Sequence, residues 1–97
     1  MLDTNNKFSN EILLNQSLQF SFLGGINFVN CTFKKIDFTG SFFCKTIFEN
    51  CRFTNVIFRK SDLWSSIFLE CQIEESNLTR GDLHKDRVEI HFPFKFH

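Results

Sequence analysis

The chain has 97 residues, 42% hydrophobic and 23% charged, enough for one compact domain and too few for two. Eleven Lys and Arg balance eleven Asp and Glu, which argues against both a basic nucleic-acid binder and a strongly acidic mimic. Fifteen Phe stand beside no Tyr and no Ala, a skew that ordinary globular composition does not produce and that points to something periodic.

At the N-terminal end, Met1 to Lys7 show no basic flank leading into an apolar stretch. No apolar run approaches the ~20 residues of a membrane span, so a soluble, cytoplasmic chain without a membrane partner is expected. Phe8 and Leu13 share the phase of the repeat that follows, but Asn6 and Glu11 are poor inward residues. Residues 1–15 are therefore expected to cap that repeat by covering its first coil. Asn15-Gln16-Ser17, Asn30-Cys31-Thr32 and Asn77-Leu78-Thr79 match the glycosylation sequon and are read as chance in an Asn-rich chain.

From residue 16 to 85 the period is five. Leu18, Leu23, Phe28, Phe33, Phe38, Phe43, Phe48, Phe53, Phe58, Leu63, Phe68, Ile73, Leu78 and Leu83 fall on one place, and all fourteen are apolar. Two places earlier stand Gln16, Ser21, Ile26, Cys31, Ile36 and their successors to Gly81, thirteen of fourteen small or β-branched. A period of 3.6 would carry the Phe ladder round a helix, and a period of two would split it between two faces. Short extended steps with a corner every five residues keep the whole ladder inside, which is a solenoid.

Ile36-Asp37-Phe38-Thr39-Gly40, Ser61-Asp62-Leu63-Trp64-Ser65, Ser76-Asn77-Leu78-Thr79-Arg80 and Gly81-Asp82-Leu83-His84-Lys85 resemble the pentapeptide repeat proteins. The family pattern is a small residue, Asp or Asn, Leu or Phe, and two variable polar places. The resemblance covers residues 16–85 without an insertion and implies an all-β fold, a right-handed quadrilateral β-helix with four units per coil. This chain departs from the pattern in having no Ala at the small place and Asp or Asn before the large residue in only five of fourteen units. Fourteen units make about three and a half coils, ~17 Å of column at the strand spacing of ~4.8 Å.

The tail, residues 86–97, alternates Val88, Ile90, Phe92, Phe94 and Phe96 with Arg87, Glu89, His91, Pro93, Lys95 and His97. Period two reads as a strand with one apolar face, and Pro93 confines it to an edge. It either folds over its own last coil or forms a homodimer end to end, as the C-terminal segments of some family members do.

Three groups of side chains are candidates for function. Phe22, Phe42 and Trp64 fall on one outward face although the inward ladder already supplies a core. They form a protein-binding or self-association patch or are covered by the N-terminal segment, and Phe92, Phe94 and Phe96 are the corresponding candidates on the tail. Cys31, Cys51 and Cys71, twenty apart, stack as structural thiols rather than as a disulfide or a metal site, and Cys44 points outward. The three His lie at 84, 91 and 97 and make no catalytic constellation. The expectation is a non-catalytic protein-interaction or scaffold module without cofactor or metal, its protein partner unknown. The alternative from family resemblance is a DNA-mimicking protein that binds a topoisomerase such as gyrase, which asks for a longer and more acidic rod.

Overall fold

A computed structural model describes residues 6–78 and 87–91 and the backbone of 95–96. Ten short strands and no helix occur among them: β1 (Lys7–Ser9), β2 (Ile12–Ser17), β3 (Asn27–Val29), β4 (Thr32–Asp37), β5 (Ile47–Glu49), β6 (Arg52–Thr54), β7 (Ile67–Leu69), β8 (Gln72–Glu74), β9 (Glu89–His91) and β10 (Lys95–Phe96). They form two five-stranded parallel sheets, β1-β3-β5-β7-β9 and β10-β8-β6-β4-β2. The first eight strands pair with an offset of twenty residues, as Phe8↔Phe28, Phe28↔Phe48 and Phe48↔Phe68 illustrate. The bridges Phe22↔Phe42 and Asp37↔Ile57 extend that offset to the two remaining sides. The chain is a four-sided β-solenoid of about four turns.

Its corners follow from backbone conformation. Every fifth residue from Asn10 to Glu75 has positive φ, and only Gly25 and Gly40 in that series are glycines. Asn10, Asn30 and Asn50 occupy one corner column, and Asn is the non-glycine residue most at ease there. At the corners holding Gly40, Lys45, Lys60 and Ser65, the amide two positions after the inward side chain's follower donates back across the turn, as in Ser41 N–H to Phe38 O and Thr46 N–H to Phe43 O, both 3.0 Å. These are type II turns, which need positive φ at their third residue.

Turning at each corner points the fifth-place residues inward. Phe33, Phe43, Phe48, Phe53, Phe68 and Ile73 are completely buried, and Phe28, Phe38, Phe58, Leu63 and Leu78 nearly so. Residues twenty apart stack face to face: Phe33 on Phe53 with centroids 5.0 Å apart, Phe48 on Phe68 at 4.8 Å. Neighbouring sides meet edge-on, as Phe38 does Phe43 at 5.0 Å. Both geometries suit the ring quadrupole, at about 0.5–1.5 kcal/mol per pair beyond the area buried.

Five of the inward small places, those of Cys31, Ser41, Thr46, Cys51 and Cys71, carry polar hydrogens that reach the preceding coil. Thr46 Oγ1 donates to Leu23 O at 2.7 Å, Ser41 Oγ to Leu18 O at 3.0 Å, and the Cys31, Cys51 and Cys71 thiols to the Phe8, Phe28 and Phe48 carbonyls. Each spans twenty-three residues, tying one coil to the previous one, so the absence of Ala does not weaken the column. The buried Ser66 Oγ breaks this series, having no partner.

Three expectations are corrected. Residues 7–17 do not cover the first coil; as β1 and β2 they extend it, paired in register with β3 and β4. The polar Asn6 and Glu11 are tolerated there because this coil is the outermost, leaving Asn6 exposed and Glu11 half-buried. The column is correspondingly longer than three and a half coils. The tail is not one strand but two, β9 and β10, which pair parallel with β7 and β8 of the same chain at offsets of twenty-two and twenty-three residues (Phe68↔Ile90, Ile73↔Phe96). Val88 and Ile90 pack against the core while Arg87, Glu89 and His91 face solvent, as the alternation predicts. Residues 1–5, 79–86, 92–94 and 97 lie outside the described residues, and with them the last repeat unit and the expectations for Phe92 and Phe94.

Candidate interaction surface

Outward positions flank each inward residue, so a side chain's place within its five-residue unit decides which face it decorates. On the side that carries Leu23, Phe43 and Leu63 inward, Phe22 and Phe42 occupy equivalent places of successive coils and are joined by a parallel bridge. Their rings lie 6.3 Å apart and tilted at 51°. Phe22 is 86% exposed and Phe42 39%, so the pair rests on the outside of a core already filled. Trp64, 44% exposed, stands on the same side but in the adjoining column; the next residue in the Phe column is Asp62, whose carboxylate accepts the Trp64 backbone N–H at 3.0 Å. The structure thus brings Phe22 and Phe42 into contact and places Trp64 beside them without a ring contact. Phe96 contributes its backbone to β10, opposite Ile73.

Phe20 belongs to the surface and the sequence reading missed it. It sits at a corner with φ of +58°, an unusual conformation for a bulky side chain. Its ring lies on the coil below, against Gly40, where an added Cβ would stand 2.6 Å from two ring carbons. Phe42 covers Gly24 in the same manner, with a ring carbon 3.0 Å from where a Cβ would be. The signal was available in the placing of Phe20 twenty residues before Gly40, whose missing side chain leaves room for a ring on the next coil.

A different corner is polar. Asn50 Nδ2 donates to Asn30 Oδ1 at 2.5 Å and Asn30 Nδ2 to Asn10 Oδ1 at 3.2 Å, an amide ladder that continues the column toward Glu70. Open grooves run on both sides of it, the larger about 510 Å³, lined by Glu49, Asn50, Leu69, Glu70 and His91 among others. On the third side Asp37 accepts the Thr39 hydroxyl at 2.5 Å, the Thr39 N–H at 2.9 Å and the Gln19 amide at 2.9 Å. Those donors, the Thr39 hydroxyl first, hold its carboxyl below the usual 3.8.

None of the four cysteines is joined in a disulfide. Burial raises the Cys31 thiol above 9.0, and contact with the Cys71 thiol together with burial raises Cys51 far above it. A raised thiol pKa means little thiolate, the form that attacks disulfides and binds metals. Among the described residues no group of three or more His, Cys, Asp or Glu side chains is arranged to hold a metal ion. No helix among them is long and apolar enough to cross a membrane.

A family model for pentapeptide repeats matches in eight copies over residues 17–50, 26–64 and 46–84. The chain belongs to the pentapeptide repeat family. For this pentapeptide repeat protein the matched stretch contains β3 to β8 and the corners between them. No curated protein matches the chain. Membership accounts for the repeat architecture, a stacked scaffold whose inward places are fixed by packing and whose outward places are free to vary.

Proposed function

We infer that this pentapeptide repeat protein is a non-catalytic interaction module that engages a protein through the side carrying Phe22, Phe42 and Trp64. The observation behind this reading is the Phe22–Phe42 pair, two rings in contact yet exposed outside a complete core. Exposed aromatic rings gathered on one face are the usual anchors of protein interfaces. The grooves of the column are open, which suits docking rather than enclosure of a small substrate. Free, stacked thiols accord with a reducing, cytoplasmic setting.

The topoisomerase-binding alternative draws no support from the surface, where Lys34, Lys35, Arg52, Arg59 and Lys60 interrupt any acidic track. A supercoiling assay with titrated protein addresses it, since inhibition or protection of gyrase favours that alternative. The leading reading is tested by affinity capture with wild type and with a Phe22→Ser, Phe42→Ser, Trp64→Ser triple variant. A species retained by the wild type and lost by the variant is expected, and equal retention removes the aromatic side from the interface.

A further inference from the structure

The zero net charge of the chain hides a separation between its sides. The sheet β1-β3-β5-β7-β9 presents Glu49 and Glu89, with Glu70 at its corner, against Lys7. The aromatic side is the reverse. Its outward places hold Phe22, Phe42, Trp64 and one carboxylate, Asp62, while cations occupy the corners that bound it. Lys45 stands at the corner that follows Phe42, and Lys60, with Arg59 next to it, at the corner that precedes Asp62; all three are exposed. Arg59 lies near enough to Asp37 for attraction, but no carboxylate pairs with Lys45 or Lys60 among the described residues.

The rings and the cations meet at one of these corners. Phe20, Gly40 and Lys60 form a single corner column, and the Phe20 ring covers Gly40, so an exposed ring stands two coils above an exposed ammonium-bearing residue. One side of the square is five residues of chain, at most ~17 Å. An extended peptide crossing from the Lys60 corner to the Lys45 corner therefore needs about five residues.

We propose that the partner segment seated on this side is a short acidic peptide, with apolar residues against the Phe22, Phe42 and Trp64 rings and a carboxylate near each end, facing Lys45 and Lys60. This rests on the reading of the aromatic side as the protein-binding one and names the chemistry of its partner. The rings alone ask only for apolar residues; cations at both boundaries add negative charge at both ends of the bound segment. Asp62 decides against the other ligand that rings and cations suit, single-stranded nucleic acid. It lies in the Phe column between the two corners, where a crossing nucleic-acid strand brings phosphates to it. A peptide crossing there meets the same carboxylate with a backbone N–H or a neutral side chain.

Fluorescence anisotropy on the full chain tests this with a labelled hexapeptide, Glu-Ser-Phe-Leu-Ser-Glu, beside the same peptide ended in Lys and a labelled oligothymidylate. The Glu-ended peptide is expected to bind about tenfold more tightly than the Lys-ended one, a preference that shrinks as salt is raised. Combined K45E and K60E changes are expected to reverse that order. Both corners accept Glu, since Glu70 and Glu75 occupy corners of the same left-handed backbone, and circular dichroism checks the fold. Equal binding of the two peptides, no binding of the Glu-ended one, an order unchanged by K45E and K60E, or tighter binding of the oligothymidylate overturns the proposal. The same variants separate it from the reading beneath it. A protein captured by wild type, lost by the triple Ser variant and kept by K45E and K60E leaves the aromatic side as the interface and overturns only the acidic partner; one kept by the triple variant removes both.

Discussion

Phe48 is the most connected ring in the column and offers the sharpest test of its energetics. It is completely buried and lies within 6.3 Å, centroid to centroid, of Phe28, Phe33, Phe43, Phe53 and Phe68. Phe48→Ala removes the transfer energy of one phenyl group and leaves a hole between coils whose backbones are held by ladders above and below, so collapse around it is restricted. Such truncations cost about 3–5 kcal/mol, and with five ring contacts at about 0.5–1.5 kcal/mol each the upper part of that range is expected. For a domain of this size the total stability is about 5–15 kcal/mol, and each kcal/mol moves the melting temperature by roughly 4–8 °C. Urea unfolding followed by Trp64 fluorescence and far-ultraviolet circular dichroism, with Phe22→Ala as the exposed control, measures the difference. A cost below about 1 kcal/mol for Phe48→Ala, or one equal to that of Phe22→Ala, would refute the reasoning, because surface truncations fall within about 0.5 kcal/mol of neutral.

Other outcomes follow from the corners and the buried thiols. Gly40→Ala forces a Cβ into a φ of +70° and within 2.6 Å of the Phe20 ring, so it should cost about 1–2 kcal/mol for the backbone plus the clash; in a Phe20→Ala background only the backbone part remains, and equal costs in both backgrounds contradict the Phe20 seat. Asn30, at φ of +55°, both accepts from Asn50 and donates to Asn10, so Asn30→Ala should be less stable than Asn30→Gly by about 1 kcal/mol although both lose the amide bonds; the reverse order in chemical denaturation argues against the left-handed corner. Cys31 and Cys51 have thiol pKa values raised on folding above the ordinary 9.0, so their contribution to stability is fully present below that value and is lost as pH rises above it. Wild type should therefore lose more stability than a Cys31→Ser, Cys51→Ser variant between about pH 8 and pH 10.5, and parallel pH profiles would remove the thiol effect.

The inward ladder was legible because its signal is redundant. Fourteen large apolar residues at one phase leave a single geometry that buries them all, and the stacking of Cys31, Cys51 and Cys71 follows from the same arithmetic. The corners were not legible, because left-handed backbone is announced by Gly only at Gly25 and Gly40 and is otherwise carried by Asn, Lys, Ser, Glu and even Phe20, compelled by the coils above and below. Asn6 and Glu11 concealed the first coil because an inward polar residue is costly only where solvent cannot reach it, and the outermost coil is open. The tail's alternation located Val88 and Ile90 on the core side, while its continuation of the two sheets was hidden by the two-residue change of phase between Leu78 and Ile90. For the candidate site, exposure of Phe22, Phe42 and Trp64 followed from place in the unit, whereas the contribution of Phe20 depended on a glycine twenty residues away.

The central claim is that the ladder is one dry column in which residues twenty apart lie ring on ring. Nuclear Overhauser spectroscopy on selectively Phe-labelled protein reads it directly, through assigned cross-peaks between the rings of Phe33 and Phe53, 5.0 Å apart, and of Phe38 and Phe58, 5.8 Å apart. Both cross-peaks are expected, together with none between Phe22 and any inward ring. Assigned spectra in which Phe33 and Phe53, or Phe38 and Phe58, show no mutual contact contradict the four-sided column.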